Sequence, residues 1–380
     1  MIQEWNAIYI DDDLQYCKQA MEQLNSAIIG DEGQKLTITT DTDFQKGLSL
    51  IEKNRFDFVI LDVRLVGNGT DEEAGIKIFN SIKSRRFVPV IFYTAFAYKV
   101  EDLETDLVRV IRKTEGFVKV LDAIKELLQT QLPLVNRAIV RHVDEVQRDY
   151  MWEFVSNNWG SFQVMKDKVD IAYLLARRLA ATINKKRIYD LARDLGANPD
   201  AVADIEKVHP AEYYIVPPVT ERCQAGDIIE ETISDGVKRY HVVLNPTCDF
   251  VNSKVEWIVF AKCCLLTEQS EYVNCKANIN NSRHKASLES LLRDNRQDKQ
   301  PERFYCLPGA FQIPGLIADF QQIETIKLEE YNEKCRNGEI KRIASLDSPF
   351  AESLLNRFTR YAGRIGKPDL DTHTIIKQLE

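Results

Sequence analysis

Residues 7–13 read AIYIDDD, a short apolar run that ends in three aspartates. Two later segments repeat this arrangement, FVILD at 58–62 and VIFYT at 90–94. Apolar runs of this length, separated by helical patterns, are typical of buried parallel strands in an α/β sheet. A fourth run, at 107–112, comes just before Lys113. We therefore predict a parallel sheet in the N-terminal part of the chain.

The residues that follow these predicted strands are polar and chemically capable. In a parallel α/β sheet, residues just past the carboxyl ends of the central strands face one crevice. The residues that we expect at this rim are Asp11, Asp12, Asp62, Thr94 and Lys113. Three carboxylates in one crevice raise each other's pKa unless a cation compensates them, and Mg²⁺ is a hard ion that prefers oxygen ligands. The set suits phosphoryl transfer to a carboxylate, with Asp62 as the attacking group.

Residues 1–128 resemble the receiver domains of two-component signalling, which have a five-stranded, parallel, flavodoxin-like α/β fold. Four segments carry the likeness in the family's order: IYIDDD, FVILDVRL, VIFYTA and VIRK. The resemblance implies that Asp62 is the phospho-acceptor, Thr94 the switch hydroxyl and Lys113 the lysine that pairs with the phosphate. The ligands it implies for Mg²⁺ are Asp11, Asp12, Asp62 and the backbone carbonyl of Arg64. An acidic pair formed by Asp12 and Asp13 is the alternative register.

Three features depart from the family's usual pattern. Thr114 follows the lysine where the family usually has proline, and Val110 stands where it usually has a switch aromatic. The loop at 66–74 is longer and more acidic than usual. The alternative interpretation is a degenerate receiver that has kept the fold and lost regulated phosphorylation.

Length and composition indicate a multidomain globular chain. A chain of 380 residues exceeds the size of about 250–300 residues beyond which single cores rarely grow. The net charge of −8 argues against a protein that coats nucleic acid. Eight scattered cysteines without a C-x-x-C pair indicate a reducing compartment. We recognise no membrane-spanning run and no signal-peptide pattern, so we expect a cytoplasmic protein.

We divide the chain into a receiver domain at 1–128, a helical connector at 129–208, and a β-rich output domain with C-terminal helices at 209–380. The connector is rich in helical patterns. One predicted apolar stripe of the connector consists of Val135, Ile139, Val143, Val146 and Tyr150.

His142 of the connector lies beside Arg141 and two residues before Asp144. A histidine phosphotransfer site needs an exposed imidazole with an adjacent carboxylate, which this segment offers. A solvated polar helix face is the simpler interpretation, and we prefer it.

Short predicted strands indicate an antiparallel output domain, with an SH3-like barrel as the candidate shape. The strands at 228–233 and 237–244 join through Asp235-Gly236, a hairpin signal because such a turn needs positive φ. The following segment, NPTCDF at 245–250, faintly resembles β-modules of uncharacterised bacterial proteins from conflict loci, and no residue roles follow from that. We expect a solvated excursion at 267–303, where basic and acidic residues alternate.

Three output functions are open. The leading hypothesis is a protein-interaction module in a bacterial conflict or defence system, with phosphorylation by a histidine kinase or related ATPase setting its affinity or a homodimeric state. The alternative is a DNA- or RNA-binding regulator that uses the basic residues of 283–303. It lacks a readable recognition helix, and residues 209–380 contain 22 Lys/Arg against 25 Asp/Glu.

The third hypothesis is an effector enzyme that uses Cys248, Asp249 or His241, which form no complete catalytic set. We expect no enzymatic activity beyond phospho-acceptance and autodephosphorylation.

Overall fold

The computed structural model describes residues 4–29, 33–64, 71–163, 169–182, 186, 190, 207–233, 236–295, 301–364 and 370–379. The chain forms two compact units, Met1–Ile205 and Glu206–Glu380. Over the described ranges, no helix is long and apolar enough to cross a membrane.

A five-stranded parallel sheet is the centre of the first unit. Its strands are β1 (Glu4–Ile10), β2 (Lys35–Asp41), β3 (Phe58–Leu61), β4 (Val90–Thr94) and β5 (Val108–Arg112). Their order is β2-β1-β3-β4-β5, which is the flavodoxin-like arrangement of doubly wound folds. The helices are α1 (Leu14–Leu24), α2 (Phe44–Lys53), α3 (Ala74–Lys83), α4 (Phe117–Gln129) and α5 (Leu132–Asp149). The predicted N-terminal fold is confirmed.

Two hydrophobic clusters cover the two faces of this sheet. On β1, Ala7 and Tyr9 belong to one cluster, while Ile8 and Ile10 belong to the other. Helices α1 and α4 pack on the first face, and α2 and α3 on the second. Burial on both faces explains why the strands are apolar without alternation.

Helix α5 buries a stripe that lies beside the predicted one. The residues that it buries are Pro133, Leu134, Ala138, His142 and Val146, whereas Ile139 is 43% exposed. His142 is 3% exposed, so both interpretations that placed it in solvent are wrong. Among the described residues, neither of its ring nitrogens has a hydrogen-bond partner.

Ion pairs fasten α5 to the edge of the sheet where the parallel strands begin. Arg137 donates from Nε to Asp57 Oδ1 at 3.0 Å and from Nη1 to the carbonyl of Glu4 at 3.1 Å. Its guanidinium carbon also lies 4.3 Å from the centre of the Trp5 ring. Farther along α5, Asp144 pairs with Arg55 at 2.6 Å. The helix is therefore part of the first unit's packing rather than a free linker.

Helical structure continues beyond α5. A π-helical segment, Tyr150–Val155, is followed by α6 (Trp159–Gln163) and α7 (Val169–Thr182). Tyr150, Val155 and Phe162 form a small buried cluster of their own, against which part of α7 packs.

The second unit is built on a seven-stranded antiparallel sheet of order β10-β11-β9-β8-β7-β12-β6, curled into a half-barrel. Its strands are β6 (Tyr214–Ile215), β7 (Asp227–Thr232), β8 (Lys238–Val243), β9 (Trp257–Leu265), β10 (Phe304–Leu307), β11 (Leu316–Lys327) and β12 (Ile340–Leu346). Gly236 has φ +74° in the β7–β8 hairpin, as the sequence predicted. The prediction of a β-rich C-terminal part with helices is confirmed.

The helices of the second unit are α8 (Thr247–Val251), α9 (Ser270–Ala277), α10 (Ser282–Leu292), α11 (Leu328–Arg336), α12 (Phe350–Ala362) and α13 (Thr372–Leu379). Helices α9 and α10 occupy the region predicted as a solvated excursion, and Leu291 of α10 is fully buried. Strand β12 was not predicted either, because Lys341 and Arg342 interrupt its apolar pattern.

Candidate functional site

Neighbouring parallel strands bring the acidic residues together. In the register of β1 and β3, Ile10 pairs with Leu61, so Asp11 and Asp62 follow at the same level. Both are buried, with Asp11 fully so. Carboxylate oxygens of Asp11, Asp12 and Asp62 all lie within 4.8 Å of one another. Among the described residues, this is the one group of three or more potential ligands with such spacing.

The third aspartate of the run has a different position. Asp13 caps the N-terminus of α1, where its Oδ1 accepts a hydrogen bond from the Gln15 backbone N–H at 2.7 Å. It is exposed and lies outside the carboxylate group formed by Asp11, Asp12 and Asp62. Of the two registers open at the sequence level, the pair Asp11 and Asp12 is the one that meets Asp62.

Lys113 contacts two of the three carboxylates. Its Nζ lies 2.6 Å from Asp11 Oδ2 and 2.8 Å from Asp62 Oδ2. Burial alone would lower the pKa of Lys113, but the charges and hydrogen bonds of the two aspartates outweigh burial and raise it. The lysine is therefore a fixed positive charge beside the carboxyl group of Asp62.

Two aromatic side chains also hold Lys113. Its Nζ lies 4.1 Å from the centre of the Tyr16 ring, a cation–π contact from α1. The Tyr93 hydroxyl donates to the backbone carbonyl of Lys113 at 3.2 Å. Neither tyrosine was predicted from the sequence as a residue of the site. Tyr16 follows the acidic run by one helical turn, and this spacing was the available signal.

Tyr9 supports Asp11 from within the core. Its hydroxyl donates a short hydrogen bond to Asp11 Oδ2, and the backbone N–H of Asp13 donates to Oδ1 at 3.0 Å. Burial, and next the charge of Asp11, raise the pKa of Tyr9, so its hydroxyl stays protonated as a donor. Burial also raises the pKa of Asp11, although the charge of Lys113 opposes that shift.

Thr94 ends β4 and is completely buried. Its Oγ1 accepts a hydrogen bond from the backbone N–H of Phe96 at 3.1 Å, which fixes the start of the loop after β4. The hydroxyl proton is not used by that bond, because the oxygen is the acceptor.

The loop after β3 approaches the start of α3 closely. The Gly75 N–H donates to the carbonyl of Val63 at 3.0 Å, and a Cβ at Gly75 would lie 2.0 Å from the carbonyl oxygen of Asp62. Only glycine fits there without moving the backbone that carries Asp62. Arg64 lies in this loop, with its guanidinium carbon 5.2 Å from the centre of the Phe96 ring.

The donor set fits Mg²⁺. A hard divalent cation takes carboxylate and carbonyl oxygens, and this crevice brings together three carboxyl groups, two of which contact Lys113. Three carboxyl groups this close to one another favour a cation among them.

The enzyme candidates of the second unit are not brought together as a catalytic set. His241 is 3% exposed on β8, with Nε2 3.5 Å from Glu231 Oε2 and Nδ1 3.6 Å from Glu324 Oε2. Cys248 is exposed on α8, with Asp249 Oδ1 at 3.8 Å.

No family model and no curated protein matches the sequence. Similar solved structures include response regulator TrrA from Thermotoga maritima in complex with Mg²⁺-BeF, the Francisella response regulator 1452 receiver domain, and a CheY-like receiver domain protein from Methanospirillum hungatei. They are 20%, 17% and 23% identical, with TM-scores of 0.27, 0.27 and 0.26. The matches cover 32%, 33% and 33% of this chain and 98%, 98% and 95% of those chains. The N-terminal third has the receiver fold. The strand order β2-β1-β3-β4-β5 shows this fold.

Proposed function

We propose that the chain is a phosphorylation-responsive regulator in which Asp62 accepts a phosphoryl group. The observation that carries the proposal is the contact of Lys113 with Asp62 at 2.8 Å, inside a crevice where Asp11 and Asp12 also converge. A buried carboxylate that has a fixed lysine and two further acidic groups beside it suits phosphoryl transfer better than a structural ion pair.

The residues have distinct roles in this proposal. An Asp62 oxygen attacks the phosphorus of the donor in line, and the bond from phosphorus to the donor's leaving atom breaks. Lys113 neutralises charge on the transferred group, and the Thr94 hydroxyl donates a hydrogen bond to a phosphoryl oxygen. A Mg²⁺ ion held by Asp11, Asp12, Asp62 and the Arg64 carbonyl would neutralise the remaining oxygens.

We propose the same division of labour along the chain that the sequence suggested. Residues 1–128 receive the phosphoryl group from a histidine kinase or related ATPase in the cytoplasm. Residues 129–208 connect, and residues 209–380 act as the output, which binds a protein partner or sets a homodimeric state. Phosphorylation adds negative charge beside Lys113 and Thr94, and this charge change biases the loop that follows β4.

Beryllofluoride with Mg²⁺ tests the acceptor on the full chain. We expect it to raise the melting temperature or change the sedimentation coefficient, and acetyl phosphate to give a slower band on a phosphate-affinity gel. Asp62→Asn should abolish both responses. A degenerate receiver would show no response in the unchanged protein, which would contradict the proposal.

A pair of neighbouring substitutions tests the acidic group. Asp12→Asn should raise the Mg²⁺ concentration needed for half of the response about tenfold or more, because it removes a charged ligand. Asp13→Asn is the matched control, because asparagine caps a helix as well as aspartate does and Asp13 lies outside the group. Equal effects of the two substitutions would contradict the assigned ligands.

A further inference from the structure

A cavity of about 770 Å³ opens in the second unit. Four segments form its wall: the loop after β6, the turn after α8, helix α11 and the start of β12. Its volume lies within the range of about 300–1,000 Å³ that is typical of small-molecule sites. None of the residues proposed for phosphoryl transfer lines it.

The floor of the cavity is apolar and aromatic. Phe250, Val255, Tyr331 and Ile340 line it, and all four are buried members of one hydrophobic cluster. The Tyr331 hydroxyl is within hydrogen-bond reach of two cysteine thiols that also line the cavity, and burial raises its pKa, so this polar atom is engaged inside the protein. A flat apolar ligand body would gain free energy by covering this floor.

The rim of the cavity is positively charged, in a chain whose net charge is −8. Arg222 and Lys341 are exposed there, and Glu221 is the one acidic side chain among the residues that line the cavity. Cations at the mouth of an apolar pocket favour an anionic group on the ligand.

Arg342 fixes the shape of the wall. Its guanidinium donates to the backbone carbonyls of Thr220 and Arg222 and lies 3.3 Å from the buried carboxylate of Asp227. These contacts tie the loop that carries Arg222 to strand β12. The cavity is therefore preorganised, which lowers the cost of ordering a ligand in it.

We propose that this cavity binds a small organic anion with a flat apolar body, whose carboxylate or phosphate faces Arg222 and Lys341. The second unit would then receive a chemical signal of its own, independent of the acceptor in the first unit. An aromatic carboxylate and a nucleoside phosphate share this chemistry, and the experiment below distinguishes them.

Two dyes with the same ring system separate the two parts of the proposal. Anilinonaphthalene sulfonate carries a negative charge, and N-phenyl-1-naphthylamine is its neutral counterpart. On the full chain we expect saturable one-to-one binding of the anionic dye, followed by fluorescence, and about tenfold weaker binding of the neutral one. Binding of both dyes with equal affinity would overturn the assignment of an anion.

Three variants locate the dye. Asn332→Trp places a ring in the cavity from an exposed position of α11 and should weaken both dyes about tenfold or more. Lys341→Glu should weaken the binding of the anionic dye by a similar factor and leave the binding of the neutral dye unchanged. Arg283→Glu, an exposed cation on α10 outside the cavity, is the control and should change neither. Unchanged binding in Asn332→Trp would overturn the proposed site.

Competition identifies the ligand class. Displacement of the dye by adenosine monophosphate, and not by indole-3-acetate, would assign a nucleoside phosphate, and the reverse result an aromatic carboxylate. If neither compound displaces the dye at millimolar concentration, the proposed ligand chemistry is wrong.

Discussion

Tyr9 illustrates how one residue of a buried strand can support the chemistry at the strand's end. Side chains two positions apart along an extended chain point to the same face, so Tyr9 of β1 lies beneath Asp11, which follows the strand. Its hydroxyl and Lys113 both donate to Asp11 Oδ2. A fully buried carboxylate needs such donors, because an unpaired buried charge is costly. Tyr9 thus positions Asp11 for the metal and the lysine.

Tyr9→Phe removes one donor and keeps the ring. A hydrogen bond to a charged group contributes about 1.5–3 kcal/mol, so we expect phospho-acceptance from acetyl phosphate to slow by about tenfold or more. Tyr98→Phe, which alters a 68% exposed tyrosine, is the control. The rate should be measured at saturating and limiting Mg²⁺. An unchanged rate in Tyr9→Phe would remove the positioning role.

Asp319 provides a pH-dependent contribution to stability in the second unit. Burial alone would raise its pKa, but hydrogen bonds from Arg303, the backbone of Gln321 and the side chain of Gln322 hold the pKa below its usual value. The Arg303 guanidinium donates to both carboxylate oxygens, at 2.7 and 2.6 Å. A pKa that is lower in the folded state stabilises the protein above the unfolded value near 3.9, and the contribution is lost as pH falls through the folded value.

We therefore expect Asp319→Asn to lower the free energy of unfolding by about 2 kcal/mol at pH 7. The difference from the unchanged protein should shrink as the pH falls below about 4, because protonation then removes the same charge. Urea unfolding at a series of pH values measures this difference. Glu329→Gln, at an exposed position of α11, should have no such effect. A difference that does not depend on pH would show that the pair is not ionic.

At the scale of elements, the sequence predicted the parts in which pattern and burial agree. Each of the three central runs leads into a residue of the site. These residues lie together because the carboxyl ends of neighbouring parallel strands meet at one edge of the sheet. The stripe of α5 was misplaced because Ala138 and His142 carry no hydrophobic signal, although tertiary packing buries both. Helices α9 and α10 were missed because their faces are too polar to show a helical period. Short helices that pack on the protein along one edge only can have such polar faces.

The attachment of α5 predicts unequal roles for two of its arginines. Arg137 is partly buried between Asp57 and Trp5. Arg137→Ala removes the charged partner of the partly buried Asp57 carboxylate, which keeps the Asn6 backbone N–H as a donor at 2.8 Å, and should cost about 1.5–3 kcal/mol of stability. Arg141→Ala removes an exposed pair with Glu145 on the same helix and should cost less than about 0.5 kcal/mol. Chemical unfolding of the two variants measures both values. Equal losses would mean that α5 is not anchored through Arg137.

At the scale of the whole molecule, the charge distribution favours a protein-interaction output over the nucleic-acid alternative. The basic residues at 283–303 that could contact phosphates lie on or after α10, among acidic residues. Arg303 is already paired with Asp319, and Arg360 of α12 lies 3.3 Å from Glu302. Cations that are already paired within the protein release few counterions from a nucleic acid, so Arg303 and Arg360 would add little to such binding.

We therefore expect no retardation of duplex or single-stranded DNA or RNA by the full chain at 50 mM salt, with or without beryllofluoride. A double substitution, Arg283→Glu with Lys285→Glu, should change nothing in this assay, because these exposed cations would have no phosphate to contact. Retention at 50 mM salt that is lost at 200 mM, and that the double substitution abolishes, would establish the nucleic-acid alternative. Because the logarithm of affinity falls with the logarithm of salt by about 0.9 per neutralised phosphate, the slope would also count the contacts. A protein-interaction module would instead bind its partner without this dependence of affinity on salt.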